Sequence, residues 1–84
     1  MTHYFLSCRS LTYGQRTQKA LERAGITAQL IRSPVSVSTE GCGYLVKIAA
    51  QRLPLALEVL RAASLAPLHV YSMDAAGTYR EIYA

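Results

Sequence analysis

In residues 38–46, STEGCGYLV, a cysteine stands between two glycines at the entrance to an apolar run. Gly41 and Gly43 carry no Cβ, so the backbone on either side of Cys42 is able to turn tightly or reach positive φ, and a second molecule can approach the sulfur. The nucleophilic form of cysteine is the thiolate, which a nearby helix N-terminus or arginine favours. Cys42 is therefore a candidate reactive sulfur on an exposed loop. The competing reading is a glycine-rich hairpin turn that happens to hold a cysteine. The second cysteine, Cys8, falls at the end of an apolar N-terminal run, where a small buried residue is the commoner role. His3, Ser7 and Ser10 suggest hydrolysis only weakly, because His3 falls at the other end of that run from Cys8 and no carboxylate is placed to orient it. No Cys-x-x-Cys or His-x-x-x-His spacing exists, so no metal site and no resident cofactor are expected.

Positioning these residues requires a strand, a helix start and a hairpin at one end of a sheet. Residues 4–7 are short, aromatic and apolar, and read as a first strand. Tyr13, Thr17, Ala20, Leu21 and Ala24 recur with helical spacing, while Gln15, Arg16, Gln18, Lys19, Glu22 and Arg23 fill the opposite face. Thr12 and Gln15 fit a capping box at the start of this helix, and Gly25 fits the C′ position at its end. Residues 26–31 read as a second strand. Residues 44–49 read as a third, with Tyr44, Val46 and Ile48 on one face and Leu45 and Lys47 on the other. Pro54 opens a second helix to about Ala63, residues 68–72 give a fourth strand, and a turn at residues 74–77 leads to a closing strand at 79–83.

The order β-α-β-β-α-β with a final strand predicts an α+β, ferredoxin-like two-layer sandwich: one antiparallel sheet, two helices on one face and a short extra C-terminal strand. In that topology the first strand ends where the first helix begins, and the hairpin into the third strand turns at the same end. Cys8, Ser10, the N-terminus of the first helix and Cys42 are then expected at one edge, within reach of Arg9 and Arg16.

At 84 residues, with 51% hydrophobic and 17% charged residues, one domain spanning 1–84 with one core is expected. A chain of this size buries only about 60% of its unfolded surface, which leaves little room for a deep, walled active site. Nine basic residues against five acidic ones give +4, spread along the chain without a run, so specific nucleic-acid binding is not expected. The start lacks the pattern of a secretory signal, and the apolar stretch at 53–70 is interrupted by Glu58, Arg61 and Pro67, so a cytoplasmic protein without a membrane span is expected.

Several stretches together, the helix ending in LERAGI, the serine-bearing segment after Pro34, then CGYLVKI and a tyrosine-bearing tail, resemble a family of small proteins described as selenium/sulfur carrier protein-like. The most specific piece is Ser38 and Thr39 followed by Cys42 and Gly43. The resemblance implies that Cys42 is the carrier thiol, holding sulfur or selenium transiently as a persulfide or selenosulfide, with donor and acceptor proteins as partners. Gly41, Gly43, Cys8, Ser10, Arg9 and Arg16 would be its supporting residues. It also implies a carrier rather than an independent enzyme. The Cys-Pro-x-Pro signature of other sulfur-relay carriers is absent.

The alternative is a non-catalytic protein- or nucleic-acid-binding module, with Tyr4 or Phe5, Tyr44 and Tyr71 on the sheet face away from the helices. A homodimer is also expected. In the second helix Leu53, Ala56, Leu57 and Leu60 form the inward stripe, and a further stripe of Leu55, Val59 and Ala62 would be left wet in a monomer.

Overall fold

The computed structural model describes residues 3–33, 43–65, 67 and 69–83. Its elements run β1 (His3–Cys8), α1 (Leu11–Arg23), β2 (Gln29–Arg32), β3 (Tyr44–Ala49), a 3-10 turn (Ala50–Arg52), α2 (Leu53–Ala62), β4 (Val70–Met73) and β5 (Tyr79–Tyr83). The strands form one antiparallel sheet in the order β2-β3-β1-β4-β5. This α+β arrangement is compatible with the expected ferredoxin-like sandwich, and β5 is the expected extra strand.

Cluster membership assigns the two faces of the sheet. Leu6, Cys8, Val46, Ile48 and Val70 pack with Leu21 of α1 and with Ala56 and Leu60 of α2, which fixes the helix side. Phe5 and Leu45 form a second cluster with Ile31, Tyr71 and Tyr79, to which no helical residue contributes, so it lies on the opposite face. The alternation read for β3 holds, with Val46 and Ile48 on the helix side and Leu45 on the other. The aromatic assignment needs correction. Tyr4 packs against the helix-side core, and Tyr44, directly across from Cys8, shares that face. Of the aromatics expected on the open face, it is Phe5 rather than Tyr4 that lies there, together with Tyr71, and Tyr79 joins them.

The N-terminus of α1 also differs from expectation. The N-cap is Ser10, in extended conformation, whose Oγ accepts the Tyr13 N–H at 3.2 Å. Thr12 is thereby drawn inside the first turn and the Thr12–Gln15 capping box does not form. At the other end the expectation holds: Ala24 is the C-cap, and Gly25, with φ of 82°, takes the left-handed C′ position that a side chain would strain. The Gly25 N–H donates to Glu22 O at 3.0 Å and the Ile26 N–H to Leu21 O at 2.9 Å, satisfying two of the last carbonyls. Ala24 itself is exposed rather than part of the buried stripe, which consists of Gly14, Thr17 and Leu21 flanked by Tyr13 and Ala20.

β2 begins at Gln29, three residues later than its alternation suggests, because the backbone before it bonds to α1. The Ile26 N–H caps the helix, and Gln18 Nε2 donates to Ala28 O at 3.0 Å. Ile26 and Ala28 are nevertheless buried, so the apolar pattern marks the core correctly and the ladder incorrectly. Gly14 permits the close approach of α1 to β2: a Cβ there would lie 2.6 Å from Leu30 Cδ1.

β1 and β3 are paired along their whole length, from His3 opposite Ala49 to Cys8 opposite Tyr44. α2 has proline in its first turn, as read from Pro54. Val59, expected on a wet stripe, packs against the core, which leaves Leu55 and Ala62 exposed. β4 starts at Val70 and runs through Met73. The turn into β5 forms where expected, with Asp74 Oδ1 accepting the Ala76 and Thr78 N–H groups at 2.9 Å each. Among the described residues no helix is long and apolar enough to cross a membrane.

Candidate functional site

The end of the sheet where β1 finishes and β3 begins carries the residues singled out by their chemistry. Cys8 is the last residue of β1, and two residues later Ser10 caps α1. Across from Cys8, β3 opens at Tyr44, and just outside it the Ser33 N–H donates to Gly43 O at 2.9 Å. This hydrogen bond closes the neck between β2 and β3. Cys42 and Gly41 lie outside the described residues, so the expected gathering of Cys42 with Cys8 and Ser10 is tested only as far as Gly43.

Gly43 does not use the conformational freedom expected of it. Positive φ occurs at Gly25 and Gly77 among the described glycines, whereas Gly43 continues into the ladder through its carbonyl. Among the described residues, a Cβ at Gly43 would meet nothing within 4 Å beyond its chain neighbours.

Cys8 is 4% exposed and belongs to the helix-side core. Its Sγ lies 3.7 Å from Leu6 O and 3.9 Å from Thr17 Oγ1, and a thiol has one proton to share between them. The reading of Cys8 as a buried apolar residue is the one the fold adopts. Ser10 is engaged as the cap of α1. Arg9 places its guanidinium 5.2 Å from the centroid of the Tyr13 ring, a cation–π distance that holds a positive charge beside the first turn of α1. Arg16 lies further along the helix and lines a groove with Lys19, Ala20, Arg23, Ala63 and Leu65.

The chain matches, over residues 3–72, the family described as "Putative Se/S carrier protein-like". It belongs to this family. The matched span runs from β1 into β4 and includes Cys8, Cys42 and Gly43, whereas β5 follows it. No curated protein and no solved structure matches the chain.

At the same end of the sheet lies a group that the sequence pattern did not reveal. The Ser7 N–H donates to His69 O at 2.9 Å, and the His69 N–H donates to Ser7 Oγ at 2.7 Å. The His69 ring in turn has Nδ1 2.5 Å from Glu81 Oε2. A carboxylate on one ring nitrogen fixes the orientation of an imidazole and leaves the other nitrogen for proton exchange. The signal was strand register: with β4 beside β1, the residue before Val70 falls next to Ser7. Glu81 could not be found that way, because a bulge between Val70 and Tyr71 shifts the β4–β5 pairing. Ser33, at the neck, has a buried Oγ without a hydrogen-bond partner among the described residues. Among the same residues no three His, Cys, Asp or Glu side chains are grouped to hold a metal ion.

Proposed function

We propose that the protein carries sulfur or selenium on Cys42, passing it between a donor protein and an acceptor protein rather than turning over a substrate by itself. In this reading the ferredoxin-like sandwich, with β5 added beside β4, is a single carrier domain spanning residues 1–84. The observation that carries the proposal is the enclosure of Cys8. The family is a carrier family by description, the sequence has two cysteines, and one of them is packed in the core at 4% exposure. That leaves Cys42, the residue immediately before Gly43, whose carbonyl closes the neck with Ser33 and at which a Cβ would meet no atom of the described residues within 4 Å.

The chemistry is thiol exchange. The Cys42 thiolate attacks the outer sulfur of a donor persulfide, R–S–SH. A new S–S bond forms, the donor's own S–S bond breaks, and the donor leaves as the thiolate R–S⁻ while Cys42 becomes Cys–S–SH. No net oxidation occurs, because the sulfane sulfur moves with its oxidation state. A donor selenosulfide, R–S–SeH, reacts in the same way and leaves a selenosulfide on Cys42. Delivery reverses the roles: an acceptor nucleophile takes the outer atom and restores the Cys42 thiolate.

The test is intact mass measurement after incubation with a low-molecular-weight persulfide, for the wild type, Cys42→Ser and Cys8→Ser. The expected result is a gain of one sulfur atom in the wild type and in Cys8→Ser, removed by reductant and missing in Cys42→Ser. An equal gain in Cys42→Ser, or none in the wild type, overturns the proposal.

A further inference from the structure

A second surface stands apart from the thiol and does not rest on that reading. Between α1 and the segment that ends α2 runs a groove of about 290 Å³, lined by Arg16, Lys19, Ala20, Arg23, Ala63 and Leu65. Half of these lining residues are cations and none is acidic. The one carboxylate on α1, Glu22, does not line this groove; it lines the neighbouring one, which shares Arg16 and Lys19 with it. Arg16, Lys19 and Arg23 take part in no ion pair among the described residues, where His69–Glu81 is the salt bridge that forms. Their spacing along α1 places three positive charges over roughly 10 Å of helix, at a rise of about 1.5 Å per residue. The floor between them is apolar, made by Ala20, Ala63 and Leu65.

The geometry points to this groove as the docking surface for an acidic amphipathic segment of a partner protein. Carboxylates three and four residues apart on a partner helix recur with the spacing of Arg16, Lys19 and Arg23, and an apolar side chain between them meets the small residues of the floor. A second copy of this chain is a poor occupant, because the protein carries +4 and would bring like charge to the cations. A single-stranded nucleic acid is a poorer occupant than an acidic peptide, since no aromatic side chain lines the groove to stack a base. The charges also steer the encounter, so the association rate falls as salt rises.

The experiment measures fluorescence anisotropy of three labelled probes against the full chain. The first is a peptide of about 15 residues, roughly the shortest length that holds helix, with Glu and Leu at helical spacing. The second has the same glutamates with Ser in place of Leu, and the third is a single-stranded RNA of matching charge. The first probe is expected to bind tightest. Reversal of the groove, Arg16→Glu with Lys19→Glu and Arg23→Glu, is expected to weaken it by roughly tenfold or more, the loss of three exposed ion pairs. Reversal of three exposed arginines elsewhere, Arg32→Glu, Arg52→Glu and Arg80→Glu, should change it by less than about threefold. If the reversed helix does not fold by circular dichroism, the neutral triple Arg16→Gln, Lys19→Gln and Arg23→Gln replaces it, with a smaller loss in the same direction. Equal weakening by the distant reversals, tighter binding of the RNA, equal binding of the Ser-containing peptide, or no binding of the first probe each overturns the docking surface.

Discussion

At the scale of single residues the two cysteines have opposite situations. Cys8 is 4% exposed, with its sulfur turned toward Leu6 O and Thr17 Oγ1 inside the helix-side core. An alkylating reagent reaches such a sulfur only when the fold opens, so its modification rate is set by the opening equilibrium rather than by thiol chemistry. Cys42 is expected to react first. Limiting iodoacetamide at neutral pH, followed by peptide mass mapping, should label Cys42 in the native protein and Cys8 only in denaturant. Comparable labelling of Cys8 without denaturant would remove the basis for assigning the carrier role to Cys42. The burial of Cys8 was legible in the sequence, because a small sulfur-bearing residue at the end of an apolar strand is usually core. The His69–Glu81 pair was not, because it depends on the bulge that sets the β4–β5 register.

At the scale of elements, the terminal caps decide where each helix stops. α1 ends with Gly25 in the left-handed region, as its sequence announces. α2 ends the same way without a glycine: Ala63 is the C-cap, Ser64 has φ of 58°, its N–H donates to Arg61 O at 3.2 Å, and the Leu65 N–H donates to Leu60 O at 2.7 Å. The left-handed conformation costs a residue with a Cβ about 1–2 kcal/mol, and glycine avoids this while losing some backbone entropy. Ser64→Gly is therefore expected to stabilise the protein by about 0.5–1 kcal/mol, raising Tm by a few degrees in a domain of this size. A calorimetric scan checks it, and a lowered Tm would show that the serine side chain holds the cap by itself. Sequence reading placed both helices and all five strands in order, since their apolar periods are distinct. It erred at boundaries where two residues compete for one role. Ser10 and Thr12 are both plausible N-caps, and only the Tyr13 N–H bond to Ser10 separates them. Residues 26–28 alternate like a strand, yet their backbone bonds to α1.

At the scale of the whole molecule, the sheet is packed on both faces, though helices cover only one. The alternation of β3 showed that Leu45 points away from the helices, but it could not show that this side is filled. Phe5 is 2% exposed and Leu45 fully buried, beneath a cover to which Ile31, Tyr71 and Tyr79 contribute. The contribution of Tyr79 is a matter of topology. β5 lies beyond the span matched to the family and is separated from β1 by β4, yet the Tyr79 ring meets the Phe5 ring edge-on at 5.1 Å and 71°. The added strand thus ties the edge of the sheet to its central strand, and the tie runs over β4 rather than through its backbone ladder. Edge-to-face aromatic pairs contribute roughly 0.5–1.5 kcal/mol beyond the area they bury. In a double-mutant cycle with Phe5→Leu and Tyr79→Leu, followed by urea unfolding, the two changes are expected to be non-additive by about that amount. Additivity within about 0.3 kcal/mol would mean that β5 is held by its β4 ladder alone, and that Phe5 owes its burial to its other neighbours.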